Sequence, residues 1–122
     1  MTRFIYVIGP LDGAKSLKIG IARDLGERLM TLQIGNPEPL AFHGAFPVAG
    51  TNYDAKRVEY LAHDILRDHR ARGEWFMCNA DKARAAIVEA IRRHQAQDHV
   101  VVAMKVLNSV RCGQLGRRIG TR

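Results

Sequence analysis

Tyr6 and Lys18 lie in two short apolar runs, FIYVIG and LKIGI, with eleven residues between them, and Arg28, Glu59, His63 and Glu74 follow at wider intervals. Together they bring a phenol, an ammonium, a guanidinium, an imidazole and two carboxylates. Hydrolysis of a phosphodiester draws on such a set, because it needs an activated water, neutralised charge on the phosphoryl oxygens and help for the leaving oxygen. The planar fork of Arg suits a phosphate, a Tyr hydroxyl orients or passes a proton, and a Glu on a rigid helix can hold a hard divalent cation. A Lys amine stays charged unless desolvated, so electrostatic stabilisation is the simpler role for Lys18 and proton abstraction the more demanding one. Taken singly, each residue also has a plain structural explanation. Tyr6 reads as a core aromatic, Lys18 as an edge residue, Gly20 as a bulge, Glu59 as a surface carboxylate and His63 as a solvated helix residue. The chemistry therefore depends on the elements that would gather them.

Residues 3–9 are rich in β-branched and aromatic residues and 17–21 resume the apolar pattern, which reads as a β-hairpin with a loop holding Pro10, Asp12 and Gly13. Asp24 with Glu27 fits a capping-box variant, and Leu25, Leu29 and Leu32 continue at helical spacing until Gly35 and the Asn36–Pro39 turn. Leu40, Phe42, Phe46 and Val48 share a face at period two, which predicts a third strand, with Pro47 marking an edge. Val58, Leu61, Ala62, Ile65 and Leu66 form the stripe of a long helix expected over residues 54–72 and closed by Gly73. EWFMC reads as a short extended segment, and Asn79 as the cap of a last helix that buries Ala83, Ala86, Ile87, Ala90 and Ile91. Residues 99–107 are compatible with a late strand or a continued helix. The order β-β-α-β-α-(β)-α predicts an α+β fold: a small, three-stranded, mainly antiparallel sheet flanked by helices.

Nineteen Lys and Arg against twelve Asp and Glu give a net charge of +7. That balance favours polyanionic partners, nucleic acid first and an anionic membrane second. Arg23, Lys56, Arg67 and Arg70 are the cations best placed to follow a phosphate backbone. Two widely spaced cysteines, Cys78 and Cys112, exclude a zinc ribbon and argue against a disulfide framework. The first apolar run is too short for a signal-peptide core and the longest later run too short to span a bilayer, so a cytoplasmic location is expected. A GxxxxGK[ST] loop, HExxH and GxSxG are all absent from the sequence.

Ile5-Tyr6 followed by Lys18-Ile19-Gly20 resembles the paired motif of the GIY-YIG nuclease superfamily, and Arg28 falls at the spacing of that superfamily's first-helix arginine. Glu59 stands on the long helix where the family carries its metal-binding glutamate. The segments Leu32–Pro37, Glu59-x-x-x-His63 and Gly73-Glu74-Trp75-Phe76 are similar to a phage-type branch in which Lys replaces the second Tyr. The resemblance covers roughly residues 3–91. It implies an endonuclease acting on DNA (or RNA) with one Mg²⁺ or Mn²⁺ ion. It also implies Tyr6 near the nucleophilic water, Arg28 on the scissile phosphate, Glu59 on the metal, and Lys18 and His63 as further catalytic groups supported by Gly20 and Glu74. Phe4 stands where the family name has its first Gly. The expected organisation is a nuclease-type domain over residues 1–97 and an extension over 98–122 that ends in a mobile basic tail. The rival expectation is a non-catalytic nucleic-acid-binding module of the same fold, and Lys18 is the residue that favours it.

Overall fold

The computed structural model describes residues 2–12 and 16–97. The chain divides into two units, residues 1–92 and 93–122. Of the second, only residues 93–97 are described, and they are helical. The expected extension over 98–122 lies outside the described residues, as does Gly13 of the first loop.

The first unit is a mixed α+β fold. β1 (Arg3–Pro10) and β2 (Ser16–Ala22) form the antiparallel hairpin, with Tyr6 opposite Gly20 and Ile8 opposite Lys18. α1 (Leu25–Ile34) starts at Asp24, whose carboxylate accepts from the Glu27 N–H at 2.9 Å. β3 (Leu40–Val48) pairs antiparallel with β1 at one sheet edge, consistent with its Pro47. α2 (Asn52–Ile65) begins with a capping box in which the Thr51 N–H donates to Asp54 Oδ2 at 2.7 Å. A 3₁₀ turn (Arg67–His69), β4 (Arg70–Arg72), β5 (Trp75–Met77) and α3 (residues 80–97) complete the described chain. The Asn79 side chain caps α3 through the Lys82 N–H at 2.8 Å.

Three expectations are corrected. The sheet has five strands in the order β3-β1-β2-β5-β4 rather than three, because the short β4–β5 hairpin extends it beyond β2. The expected extended segment EWFMC supplies β5, whereas β4, three exposed residues, carries too little alternation to be read from sequence. α2 stops at Ile65 rather than Arg72, since nothing from Arg67 to Arg72 is apolar and larger than Ala71. Continuing the helix there would bury nothing. Arg67 and Arg70 therefore stand on the 3₁₀ turn and on β4 rather than on a helix, Arg23 lies just before α1, and Gly73 forms a hairpin turn at φ +57°. Lastly, Leu40 and Phe42 pack on one side of the sheet while Phe46 and Val48 pack on the other. A bulge is the cause: Val7 pairs with Gly44 and Ile8 with Phe42, leaving His43 as an extra residue that reverses the phase.

Two cores result. Ile5, Val7, Leu17, Ile19 and Phe76 pack against Val58 and Ala62 of α2 and Ala83, Ile87 and Ala90 of α3. On the opposite face Tyr6, Ile8, Ala22 and Leu40 pack under Leu25, Leu29 and Leu32 of α1, with Phe42 beside them. Among the described residues no helix is long and apolar enough to cross a membrane.

Candidate active site at the edge of β2

Tyr6, Lys18 and Gly20 occupy one face of the β1–β2 hairpin because they share its phase. Tyr6 is fully buried, edge-on to Phe42 at 6.3 Å between ring centroids. Arg28, from the second turn of α1, lies over that ring, its Cζ 5.9 Å from the centroid, and Nη1 donates to the Tyr6 hydroxyl at 3.4 Å. Gly20 is small for a reason: a Cβ there would run into the Tyr6 hydroxyl and stand 3.1 Å from Glu74 Oε1. The phenol and that carboxylate therefore converge above one glycine.

Glu74 sits at the tip of the β4–β5 hairpin, where Arg72 pairs with Trp75 across the two-residue turn Gly73-Glu74. Its Oε1 accepts from Lys18 Nζ at 2.8 Å. Its backbone carbonyl accepts from the Ile19 N–H at 3.0 Å, fixing the hairpin tip to β2. The Ile19 carbonyl is held in turn by His63 Nε2 at 3.0 Å. Because that carbonyl can only accept, Nε2 carries the proton and Nδ1 is the acceptor. The His63 ring packs on Phe76, with centroids 5.0 Å apart. Thus α2 and the β4–β5 turn both grip the Ile19 backbone, between Lys18 and Gly20, and bring Glu59 and Glu74 together beside β2.

The electrostatics follow from this crowding. Burial pushes the Glu59 carboxyl up to about 7, helped by the charge of Glu74 and a hydrogen bond with it, while Lys56 and Lys18 oppose the rise. For Glu74 burial also acts upward, but the hydrogen bond and charge of Lys18, with help from His63 and Glu59, hold it below its ordinary value. Burial and the neighbouring carboxylate thus raise Glu59, while Lys18 keeps Glu74 low. Burial raises the Tyr6 phenol, against the charges of Lys18 and Arg28, so it stays a neutral hydroxyl. Burial lowers the His63 imidazole, against its bond to Ile19, so it is neutral at pH 7.

The cations expected to bind nucleic acid are dispersed. Arg23 lines a polar cleft of about 310 Å³ with Arg28, Asp24, Glu27 and Ala22. Lys56 is exposed on α2 beside Glu59. Arg67 is tied to Asp64, with Nη1 3.5 Å from Oδ1, and Arg70 donates to the Gly73 carbonyl at 2.6 Å while lying over Phe76. No group of three or more His, Cys, Asp or Glu side chains suited to a metal occurs among the described residues. The donors at hand are the Glu59–Glu74 pair.

With this geometry in view, the sequence profile of the T5orf172 domain matches residues 3–93. The chain belongs to the T5orf172 family. This phage-associated family is linked to nucleases, and the matched span includes every residue of the site described above. No curated protein and no solved structure matches the chain. The sequence reading missed the Ile19 peptide as an organising group of the T5orf172 site, because backbone groups leave no side-chain signal. It named Glu74 but not its contact with Glu59, which depends on the turn that pairs the expected extended segment, β5, with the unrecognised β4.

Proposed function

We propose that this T5orf172 domain is a divalent-metal-dependent endonuclease that hydrolyses DNA phosphodiester bonds at a GIY-YIG-type site. It would belong to the phage-type branch in which Lys18 stands for the second Tyr and Gly73–Phe76 supply the GEWF segment, and it would act in the cytoplasm. The observation that carries the reading is the convergence above Gly20: the Tyr6 hydroxyl and Glu74 Oε1 meet there, with Arg28 Nη1 3.4 Å from the phenol oxygen and Lys18 Nζ 2.8 Å from the carboxylate. Glu59 stands beside Glu74, and burial with that neighbouring charge raises its carboxyl to about 7. Poorly compensated carboxylates suit a divalent cation, and one or two of them with waters and a substrate phosphate make a common Mg²⁺ environment. Glu59 would hold the ion, Mg²⁺ or Mn²⁺. When bound, it would supply Lewis acidity toward the phosphate and a lowered pKa for water.

The remaining roles belong to the chain's own side chains. Arg28 donates to the Tyr6 oxygen, which turns the phenolic proton away from Arg28 and leaves it free to orient the attacking water. Kept neutral by burial, Tyr6 serves as a hydroxyl relay rather than as a phenolate. The guanidinium of Arg28 and the ammonium of Lys18 stabilise charge developing on the phosphoryl oxygens. Glu74 positions Lys18, and His63 positions Ile19, so neither needs to touch the substrate.

A second reading, a nucleic-acid-binding module without cleavage, is favoured by one observation: Lys18 is committed to Glu74 instead of standing free as a base. Incubating supercoiled plasmid with the protein and Mg²⁺ or Mn²⁺, beside Glu59→Ala, separates the two. Nicking by wild type but not by the variant is expected. Equal nicking by both, or binding without nicking by wild type, refutes the endonuclease.

A further inference from the structure

Outside the site, α2 turns two tyrosines into solvent. Tyr53 is 69% exposed and Tyr60 67%. Seven residues make almost two helical turns, so both rings stand on one face, with about 10.5 Å between them along the axis. Lys56 is exposed between them, three residues after the first and four before the second. The packed stripe of the same helix, Ala55, Val58 and Ala62, faces the other way. Folding therefore gains little from either ring. Asp64 shares the outer face, but Arg67 lies against it.

This face adjoins the candidate active site. Glu59 lies only about 60° around the helix from Lys56, and the Lys56 charge acts on its carboxyl. Two aromatic faces with a cation between them, on a chain of net charge +7, match a ligand that offers flat rings and phosphates in alternation. Duplex DNA presents the phosphates, but its bases are stacked on each other and closed to a third ring. An unpaired strand presents both.

We infer that Tyr53, Lys56 and Tyr60 form a platform on which unpaired bases of single-stranded DNA stack as the strand enters the site at Glu59. The proposal deepens the endonuclease reading by naming its substrate class: DNA single-stranded next to the scissile phosphate, as at a flap, a gap or a branch. Lys56 takes a phosphate between two stacked bases, and the rings hold the strand without selecting a sequence, since every base has a π-face.

Fluorescence anisotropy of the full chain in EDTA tests it without any cleavage. The probes are labelled oligo-dT of about 15 nucleotides, a duplex of the same length and the matching oligo-U. Wild type is expected to bind oligo-dT more tightly than the duplex and at least as tightly as oligo-U. Tyr53→Ala and Tyr60→Ala should each weaken oligo-dT binding roughly tenfold and change duplex binding less than about twofold, while Tyr53→Phe and Tyr60→Phe keep wild-type affinity. The platform is overturned if the alanine variants leave oligo-dT binding unchanged, if duplex binding falls in parallel, or if oligo-U is preferred. Should wild type bind no nucleic acid at all, the endonuclease reading falls with it. If binding persists but ignores the tyrosines, only the platform falls.

Discussion

The face of the sheet beneath α2 and α3 buries Ile5, Val7, Leu17, Ile19 and Phe76 among aliphatic and alanine side chains, whereas the face beneath α1 buries Tyr6 with only Ile8, Ala22 and Leu40. α2 places Ala55, Val58 and Ala62 fully inside, while α1 has no fully buried residue and leaves Met30 and Ile34 in solvent. One strand pair thus serves two ends with the same backbone. The aliphatic face fixes the fold, and the thinner face sacrifices apolar contact so that a phenol, a guanidinium and an ammonium can meet above Gly20. Helices that hold reactive groups on a thin core tend to be the less stable parts of a domain.

Two substitutions test this division at full strength. Phe76→Ala removes a ring that is entirely buried in the larger core and also packs against His63. It should cost about 3–5 kcal/mol in urea unfolding, a large part of the stability of a domain this size. Tyr6→Phe keeps the ring and deletes only a hydroxyl whose contact with Arg28 is long, so stability should change by less than about 1 kcal/mol. Plasmid nicking by Tyr6→Phe should nevertheless fall about a hundredfold or more. If Tyr6→Phe unfolds the protein as readily as Phe76→Ala, the two faces do not differ as described.

Much of this arrangement was legible in the sequence. The two apolar, β-branched runs at residues 3–9 and 17–21 announce the hairpin, and the register that puts Tyr6 and Lys18 on one face came from the structure. Asp24 and Asn79 announce two helix starts through caps that the structure retains. What escaped was set by backbone events. The bulge at His43 reverses β3, and no side-chain pattern announces it, because Leu40, Phe42, Phe46 and Val48 still alternate. EWFMC reads correctly as extended, but β4, its partner in the β4–β5 hairpin, is too short for periodicity, so Arg70–Arg72 reads as the charged end of a helix. The Glu59–Glu74 contact depends on that hairpin and was hidden with it.

The carboxylate pair offers a subtler test through pH. Glu59 binds its proton more tightly when folded than when unfolded, so its contribution to stability declines as the pH rises from its ordinary value, 4.5, to about 7. His63, lowered on folding, acts the other way, its contribution being lost as the pH falls below its ordinary value of 6.5. Glu74, held low, likewise loses stabilisation as acid is added below its ordinary value. The wild-type curve sums all three, and the difference between wild type and Glu59→Gln reports the Glu59–Glu74 pair, dominated by Glu59 between pH 4.5 and about 7. The variant should gain stability relative to wild type across that window, with a slope of up to about one proton, and level off above it. A flat difference would mean that burial beside Glu74 does not raise Glu59, and the polar edge would then lack the poorly compensated charge that sets it apart from the aliphatic face.

The smallest expected effect concerns the place where the two faces exchange. At the bulge, Arg84 from α3 reaches β3, donates from Nη1 to the His43 carbonyl at 2.6 Å, and covers Gly44. Its other end pairs with Asp81 on the same helix. His43 is itself pinned, Nε2 bonding the Pro10 carbonyl at 2.9 Å. Arg84→Ala frees one partly buried carbonyl at a sheet edge that water can still reach, so the cost should be about 1 kcal/mol. Nicking should remain near wild type, because the Tyr6–Gly20 pairing lies on the other side of β1. A larger loss, with nicking reduced in parallel, would show that the phase reversal of β3 is held from α3 rather than by the strand itself. The polar face would then depend on the packing of the aliphatic one. An unchanged midpoint would assign the bulge to the His43–Pro10 contact and to the local strand sequence alone.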